Sequence, residues 1–191
     1  MKQKSSSTSV AMKHLATAAL MLSLGVAGID AQPLNMTLSG TAAPSTINLG
    51  TGTPTSEYRL EGNGAPGSFT LRVVSAGAAS PQPSSTCLGI YIPVLAGEGV
   101  FRFQDGSLLK VNLTAGSDCI NLAVGEAHCI RIFQVLGGTG RFKNASGNDV
   151  TLTMTLAPVV PGKPVFFTVV GAITGTISGV GVGQDSQGGQ P

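Results

Sequence analysis

Apolar side chains recur at every second position in run after run of this chain, and no other feature narrows its fold so far. Val150, Leu152, Met154 and Leu156 alternate with Thr151, Thr153 and Thr155; Phe69, Leu71 and Val73 alternate with Thr70 and Arg72; Leu109, Val111 and Leu113 alternate with Lys110 and Asn112. Successive side chains on a strand point to opposite faces, so a period of two predicts strands with one face in a core and the other in water. Further strands are expected at about 34 to 41, 56 to 61, 87 to 95, 127 to 136 and 164 to 178, about eight or nine in all. Asp105-Gly106, between Phe101-Arg102-Phe103 and Leu108-Leu109-Lys110, suits a tight hairpin turn with positive φ angles. Residues 75 to 85 and 158 to 164, with their prolines and small residues, read as loops, and 181 to 191 as a disordered tail.

No segment beyond Ala31 reads as an amphipathic helix, so the fold class is all-β. The expectation is a single antiparallel β-barrel of about eight or nine strands over residues 32 to 180, with a β-sandwich as the alternative. Gly171 and Gly175 inside a strand favour the barrel, because glycine permits sharp bends. Low charge, 27 glycines and no tryptophan agree with a chain of strands and tight turns.

The N-terminus has a different character. Lys2, Lys4 and Lys13 precede an apolar run from Leu15 to Ala27, and small residues precede Gln32. This order predicts a secretory signal peptide over residues 1 to 31, cleaved after Ala31; the run is shorter than the roughly 20 residues a transmembrane helix needs. The chain is therefore expected to be secreted or extracellular, or periplasmic in a bacterium, with no integral membrane segment after cleavage. Removing Lys2, Lys4, Lys13 and Asp30 takes eleven basic and nine acidic residues to eight of each. The net charge of +2 thus disappears, and with no Lys/Arg cluster a nucleic-acid partner is not expected.

Export carries the cysteines into an oxidising compartment, where one disulfide is expected among Cys87, Cys119 and Cys129. Cys119 with Cys129 is the favoured pair, since a hairpin turning at Gly125 would bring them together; Cys87 with either partner stays open. One histidine after Ala31 and no paired-cysteine spacing speak against a metal site, and no cofactor is expected.

Residues 132 to 147 read Ile-Phe-Gln-Val-Leu-Gly-Gly-Thr-Gly-Arg-Phe-Lys-Asn-Ala-Ser-Gly. This block resembles the strand-turn-strand signature of the dirigent and allene oxide cyclase-like β-barrels, in which a GGTGRF turn and a small-residue A-x-G step join two long strands. The Gly99 to Phe103 segment and the terminal strand from Gly171 to Ile177 look like the same layout, so the resemblance covers roughly residues 95 to 178. It implies a barrel, and a lumen in which polar side chains steer phenoxy radicals or position a fatty-acid epoxide. Independently of any family, Gly137, Gly138 and Gly140 supply conformations closed to other residues, and Phe142 can drop back over the core. The same glycines are not a phosphate loop, because the next segment is strand-like where that motif must open a helix.

Residues able to carry chemistry are few. His128 stands beside Cys129, but neighbours on a strand face opposite ways, which argues against a nucleophile–base pair. No Gly-x-Ser-x-Gly elbow is present. Arg102 and Arg131 are embedded in strand runs and face either a polar lumen or water, with water favoured. Together with His128 they are the candidate ligand-binding residues; no catalytic residue can be assigned. Three sequons, at Asn35, Asn112 and Asn144, could carry sugar in a eukaryote. The expected function is non-enzymatic binding of a small apolar ligand, or a surface interaction. The alternatives are a dirigent- or cyclase-like stereo-directing activity in the lumen and an extracellular recognition module. For the last, the absence of tryptophan is a weakness, because sugar rings stack on flat aromatics.

Overall fold

The computed structural model describes residues 31 to 47, 52 to 160 and 163 to 181. The signal segment expected at 1 to 31 and the tail expected at 181 to 191 lie, but for Ala31 and Gly181, outside the described residues.

Eight antiparallel strands follow one another around a closed barrel: β1 Gln32–Pro44, β2 Thr55–Ala65, β3 Phe69–Gly77, β4 Ile90–Phe103, β5 Leu108–Asn121, β6 Glu126–Gly138, β7 Gly147–Val160 and β8 Lys163–Ile177. β8 pairs back onto β1 from Gln32↔Ile177 to Ala42↔Phe167, which closes the sheet and leaves no free edge. The sandwich is thereby excluded. Alternating positions of every strand supply the buried core, as the period of two demands: Leu34, Met36 and Leu38 from β1, Val150, Leu152, Met154 and Leu156 from β7. Gly175, at φ +141°, lies where an added Cβ would sit 3.0 Å from the Val150 Cα, so the backbone there requires glycine.

Three expected boundaries change, the first being that the loop expected at 75 to 85 begins only after Gly77, the last residue of β3. The separate strands at 87 to 95 and 101 to 103 are one strand, β4, in which Leu95 is an extra residue: Ala76 pairs with Ala96 and Gly77 with Val94. Such a bulge bends a strand without ending it. The loop expected at 158 to 164 is mostly strand, with Val160 paired to Lys163; Pro158 is accommodated because the ladder is irregular between it and Val160.

The two ends of the barrel differ. At one, the β2–β3, β4–β5 and β6–β7 connections meet over a plug of aromatic rings. Phe103 and Phe142 pack as a tilted pair with centroids 4.6 Å apart, and the Phe69 and Phe101 centroids are 5.4 Å apart. Phe142, on a single 3-10 turn Gly140–Phe142, is completely buried, as the GGTGRF block leads one to expect. Gly137 (φ +85°) and Gly140 (φ +57°) take left-handed conformations. Gly138 does not; it is required because a Cβ there would collide with the Leu108 carbonyl oxygen. Arg141 lies over the rings of Phe103 and Phe142 and pairs with Asp105 at 3.1 Å, tying this connection to the β4–β5 turn. In that turn only Gly106 has positive φ, and Asp105 instead accepts a hydrogen bond from the Ser107 amide at 2.9 Å.

Candidate functional site

At the opposite end the barrel is open. A cavity of about 500 Å³ enters between the β1–β2, β3–β4, β5–β6 and β7–β8 connections, within the range of ligand-binding pockets. Its walls are mainly apolar, from Ile92, Ile120, Leu122, Ala127, Leu156 and Phe167. Tyr58, Ser75, Asp118 and Cys129 form its polar floor. A barrel of eight strands is wide enough either to fill with side chains or to hold one small ligand; here one half is filled and the other encloses a cavity.

Directly behind the floor is Arg131, 1% exposed. Its Nη1 is 2.7 Å from Asp118 Oδ1 and donates to the carbonyls of Ser117 (3.1 Å) and Ile130 (2.9 Å), while Nη2 donates to the Tyr58 hydroxyl at 2.8 Å. A buried guanidinium needs both a countercharge and hydrogen-bond acceptors, and this set supplies both to the two Nη atoms, while Nε has no hydrogen-bond partner among the described residues. Asp118, with 22% of its side chain exposed, is the member that reaches into the cavity.

The local cause is a bulge in β5. Leu113 pairs with Phe133 but Ala115 with Ile132, so one residue of β5 is in excess. Leu109, Val111 and Leu113 face inward; without the bulge Cys119 would share their face. With it the parity reverses, so that Asp118 and Ile120 line the cavity while Ser117 and Cys119 lie on the outer wall.

The same reversal corrects the expected disulfide. The hairpin does turn through Gly125 (φ +72°), but Cys119 pairs in register with His128 and Cys129 with Asp118, which puts the two sulfurs on opposite faces. Cys119 is bonded to Cys87 in the β3–β4 connection, and Cys129 is a free, buried thiol.

Burial pushes the Tyr58 phenol up to about 12, an effect that the neighbouring Arg131 only partly offsets. Burial, and then the Asp118 carboxylate, also hold the Cys129 thiol well above its ordinary range, so it is no nucleophile at neutral pH. For Arg131, burial acts to lower the pKa, but Tyr58 and Asp118 outweigh it and the net direction is up. The floor therefore offers the Tyr58 hydroxyl and the Asp118 carboxylate, and Glu126, at the start of β6, adds a second carboxyl group to the cavity lining. That is equipment for holding a polar group.

Of the three candidate binding residues, only Arg131 belongs to this site, and its favoured orientation toward water is overturned: it sits on the inward face of β6 with Ala127, Cys129 and Phe133. Arg102 is exposed on the outer wall, where with Glu61, Thr70 and Gln104 it lines a shallow, open cleft. His128 is also outside, its Nδ1 3.3 Å from the Thr155 hydroxyl, and faces away from Cys129 as strand parity requires. Asp118, Tyr58 and Ser75 are not singled out by sequence pattern. Tyr58 alternates with the apolar Leu60, a signal that was available; Asp118 follows an unseen bulge and had none.

No protein-family profile matches the chain, and no curated protein is significantly similar to it.

Proposed function

We propose that the protein binds one small, largely apolar molecule in the open half of its barrel, with a hydrogen-bond donor of that molecule directed at Asp118. The observation that carries this reading is the apolar cavity ending on a carboxylate held by a buried arginine. An empty barrel would call for no such floor, since a buried ion pair adds little stability over apolar residues of similar size. The leader-like residues 1 to 31 and the Cys87–Cys119 disulfide support a secreted protein, working where thiols are oxidised.

N-phenyl-1-naphthylamine, an apolar fluorophore with one N–H donor, tests the reading. Saturable one-to-one enhancement of its fluorescence is expected, and Ala127→Phe, which fills the cavity from β6, should weaken it by about tenfold or more. Failure to saturate, or uptake indifferent to Ala127→Phe, would refute the lumen as the site.

A second reading has a specific observation behind it. Tyr58, Asp118 and Arg131 converge on one end of the cavity, and the dirigent resemblance makes such inward polar groups the means of steering a radical coupling. Chiral chromatography of products from an oxidatively coupled phenol decides it: an enantiomeric excess that vanishes in Asp118→Asn supports the activity, and racemic products rule it out.

A further inference from the structure

The open end of the barrel differs from the plugged end in chemistry as well as shape. Ile47, Leu88, Leu122, Val124, Val159 and Val160 all stand exposed there, on the four connections or the strand ends that enter them. Leu122 is 72% exposed and at the same time lines the cavity, so the apolar rim and the cavity wall are one continuous surface. Residues 45 to 54, 78 to 89, 122 to 125 and 161 to 162, which make up these connections, include no Asp, Glu, Lys or Arg; of the strands that follow them, β6 opens with Glu126, which lines the cavity, and β8 with Lys163. The plugged end is the reverse: its connections carry Asp105, Arg141 and Lys143, and none of their described residues is an exposed large apolar side chain.

We propose that this open end docks, barrel axis upright, on the surface of an uncharged lipid bilayer, and that the ligand passes between bilayer and cavity through the rim. The proposal rests on the ligand-binding reading of the cavity. Three features select a bilayer as the occupant. The aliphatic side chains sit on separate projecting connections around an opening, a surface that deformable acyl chains can meet but a rigid protein face meets poorly. The connections are uncharged, and Glu126 and Lys163 beside them are of opposite sign, so this end has no net charge to complement anionic headgroups or the polar rim of a protein partner. The ligand, if apolar, is itself concentrated in lipid. Contact must be end-on, because the outer wall bears Glu57, Arg59, Glu61, Arg72, Glu98, Arg102 and Lys110, which would be costly in hydrocarbon.

The test is co-sedimentation of the chain from Gln32 onward, which contains the whole closed barrel, with phosphatidylcholine vesicles. Binding is expected to persist from about 0.1 to about 1 M salt, since the docking end carries no net charge. Leu122→Glu and Val124→Glu should each lower vesicle partitioning by about tenfold or more, whereas Ile130→Glu and Leu136→Glu, on the outer wall, should change it less than about twofold. All four side chains are exposed, so folding is preserved, and circular dichroism checks it. Absence of vesicle binding, its loss in salt, or equal sensitivity to wall and rim substitutions would overturn the proposal. So would a dimer in sedimentation equilibrium that the rim substitutions dissociate, which would mean that a second copy covers the rim. Uptake of N-phenyl-1-naphthylamine without vesicles separates the two readings: Val124→Glu, whose side chain is exposed and does not line the cavity, supports docking if it takes up the probe normally but leaves the vesicles, and a wild type that binds vesicles but never the probe defeats the cavity reading alone.

Discussion

Arg131 and Asp118 form an unequal pair, and the inequality is measurable. Arg131 is sealed from water whereas Asp118 opens onto the cavity. Removing the carboxylate strands a buried cation; removing the arginine leaves a carboxylate that water can reach. Asp118→Ala should therefore cost more stability in urea denaturation, about 3 to 5 kcal/mol, than Arg131→Met, although the latter deletes the larger side chain. The reverse order would mean that the guanidinium is not held by this pair. Tyr58 adds a pH dependence. Its phenol is neutral in the fold until about pH 12 but would ionise near 10 in the unfolded chain, so its contribution is complete below pH 10 and is lost as the pH rises from 10 to 12. A rise from 10 to about 12 corresponds to about 2 to 3 kcal/mol. The difference between wild type and Tyr58→Phe, followed by unfolding across that interval, should show the decline only in the wild type.

Among the elements, β5 decides most through one extra residue. Deleting Thr114, beside the register shift, should return Cys119 to the inward face and turn Asp118 out to water. Thiol titration of the unfolded but unreduced variant would then find Cys87 free, where the wild type shows only Cys129. Cys129 itself should resist iodoacetamide until denaturant is added, being buried and held as the thiol. The disulfide closes a loop between positions 32 residues apart, and replacing both Cys87 and Cys119 by alanine should cost about 3 to 4 kcal/mol. The GGTGRF connection acts at the other end, where Phe142 is the lid on the aromatic plug.

The molecule as a whole divides stability from binding along the barrel axis. Phe142→Ala opens a void among Phe103 and its neighbours and should cost about 3 to 5 kcal/mol while leaving probe binding within about twofold in whatever fraction stays folded. Ala127→Phe should do the opposite. If both substitutions changed stability and binding together, the interior would be one continuous core and the division would be wrong.

Much of this architecture is legible in one dimension. Alternation at Val150 to Leu156 and its counterparts specifies strands and the face each buries, because a strand's side-chain period is a local property of the backbone. The glycines and Phe142 of residues 137 to 142 announce a tight connection that returns a ring to the core, again for local steric reasons. The candidate site was not legible in the same way. A bulge costs a local sequence nothing that can be read, yet it reverses every side chain beyond it, and so the sequence paired Cys119 with Cys129 and left Asp118 unremarked; Arg131, in unbroken alternation with Ala127, Cys129 and Phe133, was pointed toward water only because a charged side chain is ordinarily solvated. Local chemistry determined that this chain forms strands closing on a core. Only the register between β5 and β6, a long-range pairing, decided which side chains share the lumen, and with them where one end of the barrel stays open.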